Sequence, residues 1–263
     1  MPELPDVEHY GNYIKRTAAR KKITGAETRN AKVLEGVSGK VLAKKLKGKK
    51  FSRITRRGKY LLLKFAEEEW LYMHFGMTGD VAYFKKDKEA PKYARVLFLF
   101  ANGYALAFIS QRMLGRIGTA PSPGEFIKKR SLGPDALDVS PGKFKKTLEG
   151  RKGALKSALM DQEKIAGIGN IYADEILYAS RLHPKTSLSE LKDGDIKKIF
   201  RSMKRILEKA AEKKADPEKF PRSWLIPQRK KGGKCPRCGN PLRTVKVNGR
   251  TSYFCPKSQK RKK

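Results

Sequence analysis

Residues 95–109 read Arg-Val-Leu-Phe-Leu-Phe-Ala-Asn-Gly-Tyr-Ala-Leu-Ala-Phe-Ile, and this stretch decides the fold of the first half of the chain. Its two apolar runs are typical of strands. The pair Asn102-Gly103 between them suits a type I′ turn, so the stretch predicts a β-hairpin. Similar apolar runs precede it at residues 60–65, 70–75 and 81–84. The first half is therefore expected to be β-rich and arranged as a two-layer sandwich.

Helical patterns lie on both sides of these strands. Apolar residues at positions 7, 10, 14 and 18 have helical spacing, so an amphipathic helix is expected close to the N-terminus. Glycine and proline cluster within residues 118–141 and mark a domain boundary. Beyond it, Ser140-Pro141 is typical of a helix start. Apolar residues between 196 and 207 keep a helical period, in a helix that ends before Asp216.

The chain is strongly basic. Its 263 residues include 61 lysines and arginines against 26 acidic residues, which gives a formal net charge of +35. This excess favours a polyanionic partner, with nucleic acid first and an anionic membrane surface second. A lysine-rich proteome or a gain in solubility would produce the same charge without an anionic partner.

The apolar runs are all shorter than the roughly 18 residues that span a bilayer. The start of the chain also lacks the basic and apolar regions of a signal peptide. We therefore expect a soluble intracellular protein, cytoplasmic or nucleoid-associated, with no membrane partner. Its three cysteines cluster within residues 235–255, which argues against a disulfide framework.

The cysteines have the spacing of a zinc ribbon in which one ligand is changed. Cys235-Pro-Arg-Cys238 is followed, after sixteen residues, by Cys255-Pro-Lys-Ser258. Structural zinc sites normally have four thiolate or imidazole ligands, and a serine hydroxyl is a poor ligand because it does not ionise near neutral pH. Either Cys235, Cys238 and Cys255 hold one zinc ion weakly, with water, or the small hairpin is stable without metal.

A short glycine motif, Gly167-Ile-Gly-Asn170, separates two helical segments at residues 155–163 and 171–181. Glycines let a backbone approach a phosphate closely, and helix N-termini bind anions. Asn170 is placed to cap the second helix while its amide binds phosphate. A purely structural helix–turn–helix without a DNA contact would have the same pattern.

Several motifs together resemble the formamidopyrimidine-DNA glycosylase (Fpg) and endonuclease VIII family, and the chain is nearer the Fpg branch. They are Pro2-Glu-Leu-Pro-Asp-Val-Glu8, His74-Phe-Gly-Met-Thr-Gly79, Leu132-Gly-Pro134, residues 159–175 and the cysteine pattern of residues 235–259. These motifs occur in the family's order over essentially the whole chain.

The resemblance implies an α+β fold with two domains. An N-terminal catalytic β-sandwich headed by a helix is expected at residues 1–125, and a helix–two-turn–helix DNA-binding domain at residues 126–228. A zinc-finger-like β-hairpin and a basic tail follow at residues 229–263. The implied partner is damaged double-stranded DNA, bound by a monomer. One zinc ion is the candidate cofactor, and the chemistry needs none.

The resemblance also implies the reaction of a bifunctional glycosylase and abasic-site lyase. Removal of Met1 exposes Pro2, whose secondary amine is a nucleophile near neutral pH, since an α-amino group has a pKa of about 7.7–8.0. Its attack on the sugar C1′ expels an oxidised purine and leaves a Schiff base, from which β,δ-elimination cleaves the strand. Glu3 resembles the family's acid/base, and Lys59 its strand-borne lysine that binds phosphate. Without the motif, Pro2 would be merely a common second residue.

Further residues resemble the family's DNA contacts. His74, Lys156, Asn170 and Arg250 match phosphate contacts, and Arg250 follows the turn of the predicted hairpin. Any single basic residue among these is alternatively a solvated surface charge.

Met77, Arg112 and Leu114 match the residues that fill the gap left by a flipped base. Ser110-Gln-Arg-Met-Leu-Gly115 stands where the Fpg pattern reads Asp-Pro-Arg-Arg-Phe-Gly, so Leu114 replaces an aromatic wedge. The opposite-base preference therefore does not carry over from the family. Met77 and Leu114 are alternatively core residues.

A second departure concerns the lesion. The long loop that covers 8-oxoguanine in bacterial Fpg is absent or shortened between the long helix and Cys235. We therefore expect slower excision of 8-oxoguanine than of formamidopyrimidines or hydantoins.

Two other functions compete with the enzyme. A non-catalytic DNA-binding protein would keep the scaffold, but it would have no reason to keep both Pro2 and Glu3. A ribosome-associated basic protein would explain the charge but not the order of the motifs.

Overall fold

The computed structural model describes residues 1–260, which form two compact units. The first consists of Met1–Pro2 and Asp6–Arg130, and the second of Glu3–Pro5 and the chain from Ser131 onward. Residues 261–263 of the expected basic tail lie outside the described residues. Among the helices of residues 1–260, none is long and apolar enough to cross a membrane. The expected α+β fold with two domains is confirmed.

The first unit is a β-sandwich headed by a helix. Its elements are helices α1 (Leu4–Thr17, from Asp6 onward in this unit), α2 (Gly39–Leu46) and α3 (Pro123–Lys129), and strands β1 (Ile23–Thr28), β2 (Arg53–Arg57), β3 (Tyr60–Ala66), β4 (Glu69–His74), β5 (Gly79–Lys85), β6 (Ala94–Phe100), β7 (Tyr104–Ser110) and β8 (Arg116–Ala120). One antiparallel sheet has the order β1-β6-β7-β5 and the other has β2-β3-β4-β8. Apolar side chains of both sheets, such as Phe98 and Leu63, form one core.

The hairpin of residues 95–109 is present as β6 and β7, but its turn differs from the expected type. Gly103 has a φ of 79°, whereas Asn102 does not lie in the positive-φ region that a type I′ turn requires at both central residues. Three residues, 101–103, connect the strands, and such loops typically end with a residue in the left-handed conformation. The dipeptide therefore predicted the hairpin correctly and the turn type wrongly.

The second unit is helical and ends in a two-stranded hairpin. Its elements are helices α4 (Pro141–Leu148), α5 (Leu155–Met160), α6 (Asn170–Ser180) and α7 (Asp193–Glu212), and strands β9 (Arg243–Val247) and β10 (Arg250–Phe254). Ser140 caps α4 with Pro141 at the first position, as expected. Asn248 and Gly249 both have positive φ, 46° and 71°, which fits a type I′ turn between β9 and β10. The apolar faces of the four helices form a second core, which includes Leu4.

Candidate functional site

Glu3 is fully buried, and its carboxylate caps helix α6. The two carboxylate oxygens accept hydrogen bonds from the backbone N–H groups of Gly169 (2.7 Å), Ile171 (2.8 Å) and Tyr172 (3.2 Å). The first N–H groups of a helix have no partner within it, and the positive end of the helix dipole favours an anion there. Three backbone donors therefore hold the Glu3 carboxylate in one orientation.

The glycine motif makes room for the N-terminal segment. A Cβ atom at Gly169 would lie 2.4 Å from Glu3 Cδ, and one at Gly167 would lie 2.5 Å from a methyl group of Leu4. Gly167 also has a φ of 118°, which favours glycine, and its carbonyl accepts the N–H of Leu4 at 3.1 Å. The glycines thus serve the packing of Glu3 and Leu4.

The interpretation that Asn170 caps α6 is wrong. Gly169 is the N-cap residue, and Asn170 is the first residue of the helix. The side chain of Glu3 takes the capping role across 166 positions of sequence. A local sequence pattern cannot reveal a cap that comes from so distant a residue.

Pro2 and Lys59, the other residues expected at the reaction centre, lie in the first unit. Pro2 is buried, and Met1, which precedes it, is 39% exposed. Lys59 is largely buried, at 8% exposure. It does not lie on a strand, as the resemblance implied, but in the two-residue turn between β2 and β3, beside Gly58 with a φ of 55°.

His74 is the last residue of β4, and its surroundings favour the neutral imidazole. Its Nδ1 accepts the N–H of Gly76 at 3.3 Å, and its ring centroid lies 4.7 Å from that of Tyr60. Burial, assisted by the positive charges of Lys59 and Arg130, lowers the pKa of His74 to about 4. Since Nδ1 is an acceptor, the proton of the neutral ring lies on Nε2, a donor suited to a phosphate oxygen.

The structure brings Met77 and Arg112 together on the surface of the first unit. Arg112 Nη1 lies 3.4 Å from Met77 Sδ, and the Arg112 N–H bonds Thr78 Oγ1 at 3.4 Å. The backbone of Leu114 lies against Gly76, where a Cβ would approach it to 2.5 Å. Met77 and Leu114 are each 42% exposed, so the alternative that they are core residues is excluded.

The structure departs from the sequence interpretation at Lys156. Its side chain is fully buried, and its Nζ donates to Asp174 Oδ1 (2.7 Å), Asn170 Oδ1 (2.6 Å) and the hydroxyl of Ser252. Burial lowers the pKa of Lys156, and the carboxylate of Asp174 opposes that shift. The ammonium group of Lys156 is thus enclosed by protein, whereas both a surface phosphate contact and a solvated charge would be exposed.

Asn170 and Arg250 lie at the surface of the second unit. Asn170 is half-buried, and its Nδ2 donates to the carbonyl of Thr251 at 3.2 Å. Arg250, the first residue of β10, is exposed. It lines a cavity of about 390 Å³ together with Asn248 and Ser157.

The three cysteines converge, and the fourth position of the pattern is a serine. Their Sγ atoms all lie within 4.8 Å of one another, and those of Cys238 and Cys255 are 3.6 Å apart. A zinc–sulfur distance of about 2.3 Å places tetrahedral thiolates ~3.8 Å apart, so the three sulfurs fit one zinc ion. The Ser258 hydroxyl is buried without a hydrogen-bond partner among the described residues.

Asp174 and Arg229 are functional candidates that sequence reasoning missed. Arg229 donates to Asp174 Oδ2 through Nη2 (2.8 Å) and Nε (3.1 Å), and the Tyr253 N–H reaches the same oxygen at 3.0 Å. Two adjacent acidic residues, Asp174 and Glu175, within the mainly apolar sequence of α6 were a usable signal for Asp174. Arg229 carried none, because it opens a run of basic residues.

Comparison with known proteins gives consistent matches over nearly the whole chain. The family model of the formamidopyrimidine-DNA glycosylase N-terminal domain matches residues 1–117, and that of the formamidopyrimidine-DNA glycosylase H2TH domain matches residues 132–220. The model of a zinc finger found in FPG and IleRS matches residues 232–259.

Individual relatives agree. The formamidopyrimidine-DNA glycosylase of Pelotomaculum thermopropionicum is 32% identical over 274 residues, covering 99% of each chain. That of Ligilactobacillus salivarius is also 32% identical, over 98% of this chain and 99% of the relative. The structure of Lactococcus lactis Fpg with DNA containing N7-benzyl-Fapy-dG has a TM-score of 0.88 at 28% identity, covering 99% of this chain and all of the other. A Lactococcus lactis Fpg complex with abasic-site DNA has a TM-score of 0.88 at 27% identity, with the same coverage.

Proposed function

The chain belongs to the formamidopyrimidine-DNA glycosylase family, whose members are bifunctional glycosylases and abasic-site lyases of base excision repair, and from this premise we propose how its own residues perform the reaction. It removes oxidised purines, with formamidopyrimidines foremost, from double-stranded DNA. The observation that carries the proposal is the carboxylate of Glu3, which three backbone donors fix in place directly after Pro2 in the chain.

Pro2 is the nucleophile once Met1 has been removed. Met1 is 39% exposed, which leaves it accessible to removal. The secondary amine of Pro2 attacks the sugar C1′, and the base leaves as its bond to C1′ breaks, taking up the proton that the amine loses. The bond from C1′ to the ring oxygen then breaks, this oxygen takes up a proton, and a cationic iminium joins the Pro2 nitrogen to the opened sugar. The iminium acidifies the C2′ proton, so loss of that proton expels the 3′ phosphate, and a second elimination expels the 5′ phosphate.

Glu3 supplies the acid/base function beside the nucleophile. A positioned carboxyl group typically contributes about 10²–10⁴-fold to such a reaction. Protonation of the sugar ring oxygen assists departure of the base, and the same group then carries protons between intermediates. The hydrogen bonds from α6 keep the carboxylate from turning away from its partners.

Binding of the DNA is divided between phosphate contacts and gap filling. Lys59 and His74 of the first unit and Asn170 and Arg250 of the second bind backbone phosphates, with His74 acting as a neutral donor. Met77 and Leu114 insert as apolar wedges where the lesion is flipped out, and Arg112 donates to the orphaned base. The net charge of +35 provides the long-range attraction to DNA.

Borohydride trapping tests the proposal. The mature protein is expected to form a covalent adduct with abasic-site DNA, because borohydride reduces the iminium to a stable amine. A peptide tag placed before Pro2 converts the nitrogen into an amide and is expected to abolish the adduct. The same tag placed after Lys263 is the matched control and is expected to leave trapping intact.

The same experiment separates the enzyme from its competitor. An untagged protein that binds abasic DNA but forms no adduct would identify a non-catalytic DNA-binding protein. An adduct that persists with the blocked terminus would assign the nucleophile to a lysine and contradict the role of Pro2.

A further inference from the structure

We propose that Asp174 is a positioning residue that holds the hairpin of β9 and β10 against helix α6. The hairpin then places Arg250 beside Asn170 of α6, so that the two residues bind the DNA backbone together. The inference rests on the proposed function, since the DNA contacts of these two residues belong to it. The contacts that carry it all lie within the second unit.

Asp174 is fully buried, and both of its oxygens are used. Oδ1 accepts from Lys156 of α5, whereas Oδ2 accepts from the side chain of Arg229 and from the backbone N–H of Tyr253. One carboxylate thus joins α5, the segment after α7 and strand β10 to helix α6.

Strand β10 is held at three successive residues. The Thr251 carbonyl accepts from Asn170 Nδ2, the Ser252 hydroxyl accepts from Lys156 Nζ, and the Tyr253 N–H donates to Asp174. The residue that precedes these three is Arg250, whose exposed side chain is the proposed phosphate contact. The position of Arg250 therefore follows from the network around Asp174.

Arg229 closes the network from the outside. Its guanidinium forms two hydrogen bonds with Asp174 Oδ2 and lies 5.2 Å from the centroid of the Tyr253 ring. A planar guanidinium performs both tasks at once, whereas a lysine ammonium cannot form the paired bonds. Only 12% of the Arg229 side chain is exposed.

Stability alone does not account for this cluster. The desolvation of buried charges offsets much of their attraction, and apolar residues of similar volume are often as stable in their place. An ionic network fixes the direction of each partner, which an apolar cluster does not. The arrangement therefore favours a role in geometry.

The test uses a duplex with a tetrahydrofuran abasic analogue and measures its dissociation constant against salt concentration. Asp174→Asn makes the protein more positive, so charge alone would tighten binding. A positioning role instead predicts that the dissociation constant at moderate salt rises about tenfold or more. It also predicts that the slope of the logarithm of affinity against the logarithm of salt concentration becomes shallower by about 0.9, the value for one lost phosphate contact. Arg229→Lys, which keeps its charge, is expected to weaken binding in the same direction and decides the outcome if Asp174→Asn fails to fold.

Asp193→Asn is the matched control, because it removes an aspartate from an exposed pair with Lys145. It is expected to leave affinity unchanged or slightly tighter. The double variant Asp174→Asn with Arg250→Ala is expected to lose less affinity than the sum of the two single losses, because both substitutions act on the Arg250 contact. Additive losses would overturn the proposal.

Hydrogen exchange distinguishes this proposal from the proposed function. If Asp174 positions the hairpin, the amides of β9 and β10 exchange faster in Asp174→Asn, while those of α7 do not. Unchanged exchange in the hairpin would overturn the positioning role. Faster exchange combined with full DNA affinity in Arg250→Ala would instead remove the phosphate contact from the proposed function.

Discussion

At the scale of single residues, the position of the Glu3 carboxylate, the proposed acid/base, depends on the glycine against which it packs. A Cβ at Gly169 would lie 2.4 Å from Glu3 Cδ, although the backbone there, with φ −122°, accommodates alanine. We expect Gly169→Ala to fold but to displace the carboxylate, and to lower the single-turnover rate of base excision by about 10²-fold, as loss of an acid/base does.

The control is Gly194→Ala in helix α7, where a Cβ would meet no atom within 4 Å. That variant is expected to excise at the wild-type rate. Wild-type activity in Gly169→Ala would show that the carboxylate moves without consequence, and would remove Glu3 from the mechanism.

Single residues also show which features of the candidate site could be predicted from the amino-acid sequence and which could not. The exposure of Met77 and Leu114 agrees with their predicted surface role, because motif position fixed which loop they occupy. The burial of Lys156 was not predicted, since the sequence places a lysine near a phosphate-binding motif but does not show that it pairs with the buried aspartate one helical turn beyond Asn170. A local motif does not show a side-chain contact such as Lys156–Asp174, whose two residues lie 18 positions apart.

At the scale of elements, the segment after α7 is fixed against α6 at two points. The buried carboxylate of Glu175 accepts the N–H of Ile226 at 2.8 Å, and Asp174 binds Arg229. Few residues remain between these anchors and the hairpin to cover an extruded base. The shortness of this stretch of sequence is the basis for expecting an absent or shortened loop, and the structure adds the two anchors.

We therefore expect slower release of 8-oxoguanine than of a formamidopyrimidine, because the loop that would cover the flipped base is expected to be absent or shortened. The measurement is the single-turnover excision rate on two duplexes that differ only in the lesion. Cleavage of a preformed abasic site in the same sequence is the control for the shared lyase steps. Faster 8-oxoguanine release would contradict the expectation.

The hairpin carries the candidate metal site, which differs from the complete zinc ribbon pattern by having Ser258 at the fourth position. Ser258→Cys supplies a fourth sulfur ligand, so this variant is expected to bind zinc more tightly than the wild type, which offers three cysteine sulfurs. Cobalt substitution measures it, through the intensity of the thiolate charge-transfer bands during competition with a chelator. Cys238→Ala, with two thiolates, is the control and is expected to bind most weakly; equal affinity of wild type and Ser258→Cys would contradict the expectation.

At the scale of the whole molecule, the amino-acid sequence predicted the order of the β-sandwich, the helices and the hairpin along the chain, because strands and helices differ in the period of their apolar residues. It did not predict that Glu3–Pro5 joins the second unit, since the capping contact spans the chain. The net charge indicated an anionic partner but not where it binds, because composition does not show which of the 61 lysines and arginines contact DNA. Ordered motifs, rather than composition, identified the reaction.

The stability of the molecule is expected to depend on pH through Glu175. Burial raises the pKa of Glu175 to about 7, from an ordinary value near 4.5. Because the folded state binds the Glu175 proton more tightly than the unfolded state does, protonation of Glu175 raises the free energy of unfolding. This contribution is complete below about pH 4.5 and is lost as pH rises through 7. Glu175→Gln keeps an acceptor for the Ile226 N–H. It is therefore expected to unfold at a higher denaturant concentration than wild type at pH 8, with a free energy of unfolding greater by at most about 3 kcal/mol.

The difference between Glu175→Gln and wild type should vanish near pH 4.5, and the same substitution at the exposed Glu208 of α7 is the control. Equal unfolding curves for wild type and Glu175→Gln at pH 8 would mean that Glu175 is ionised without cost, so that its buried carboxylate is compensated by the arginines and backbone donors around it.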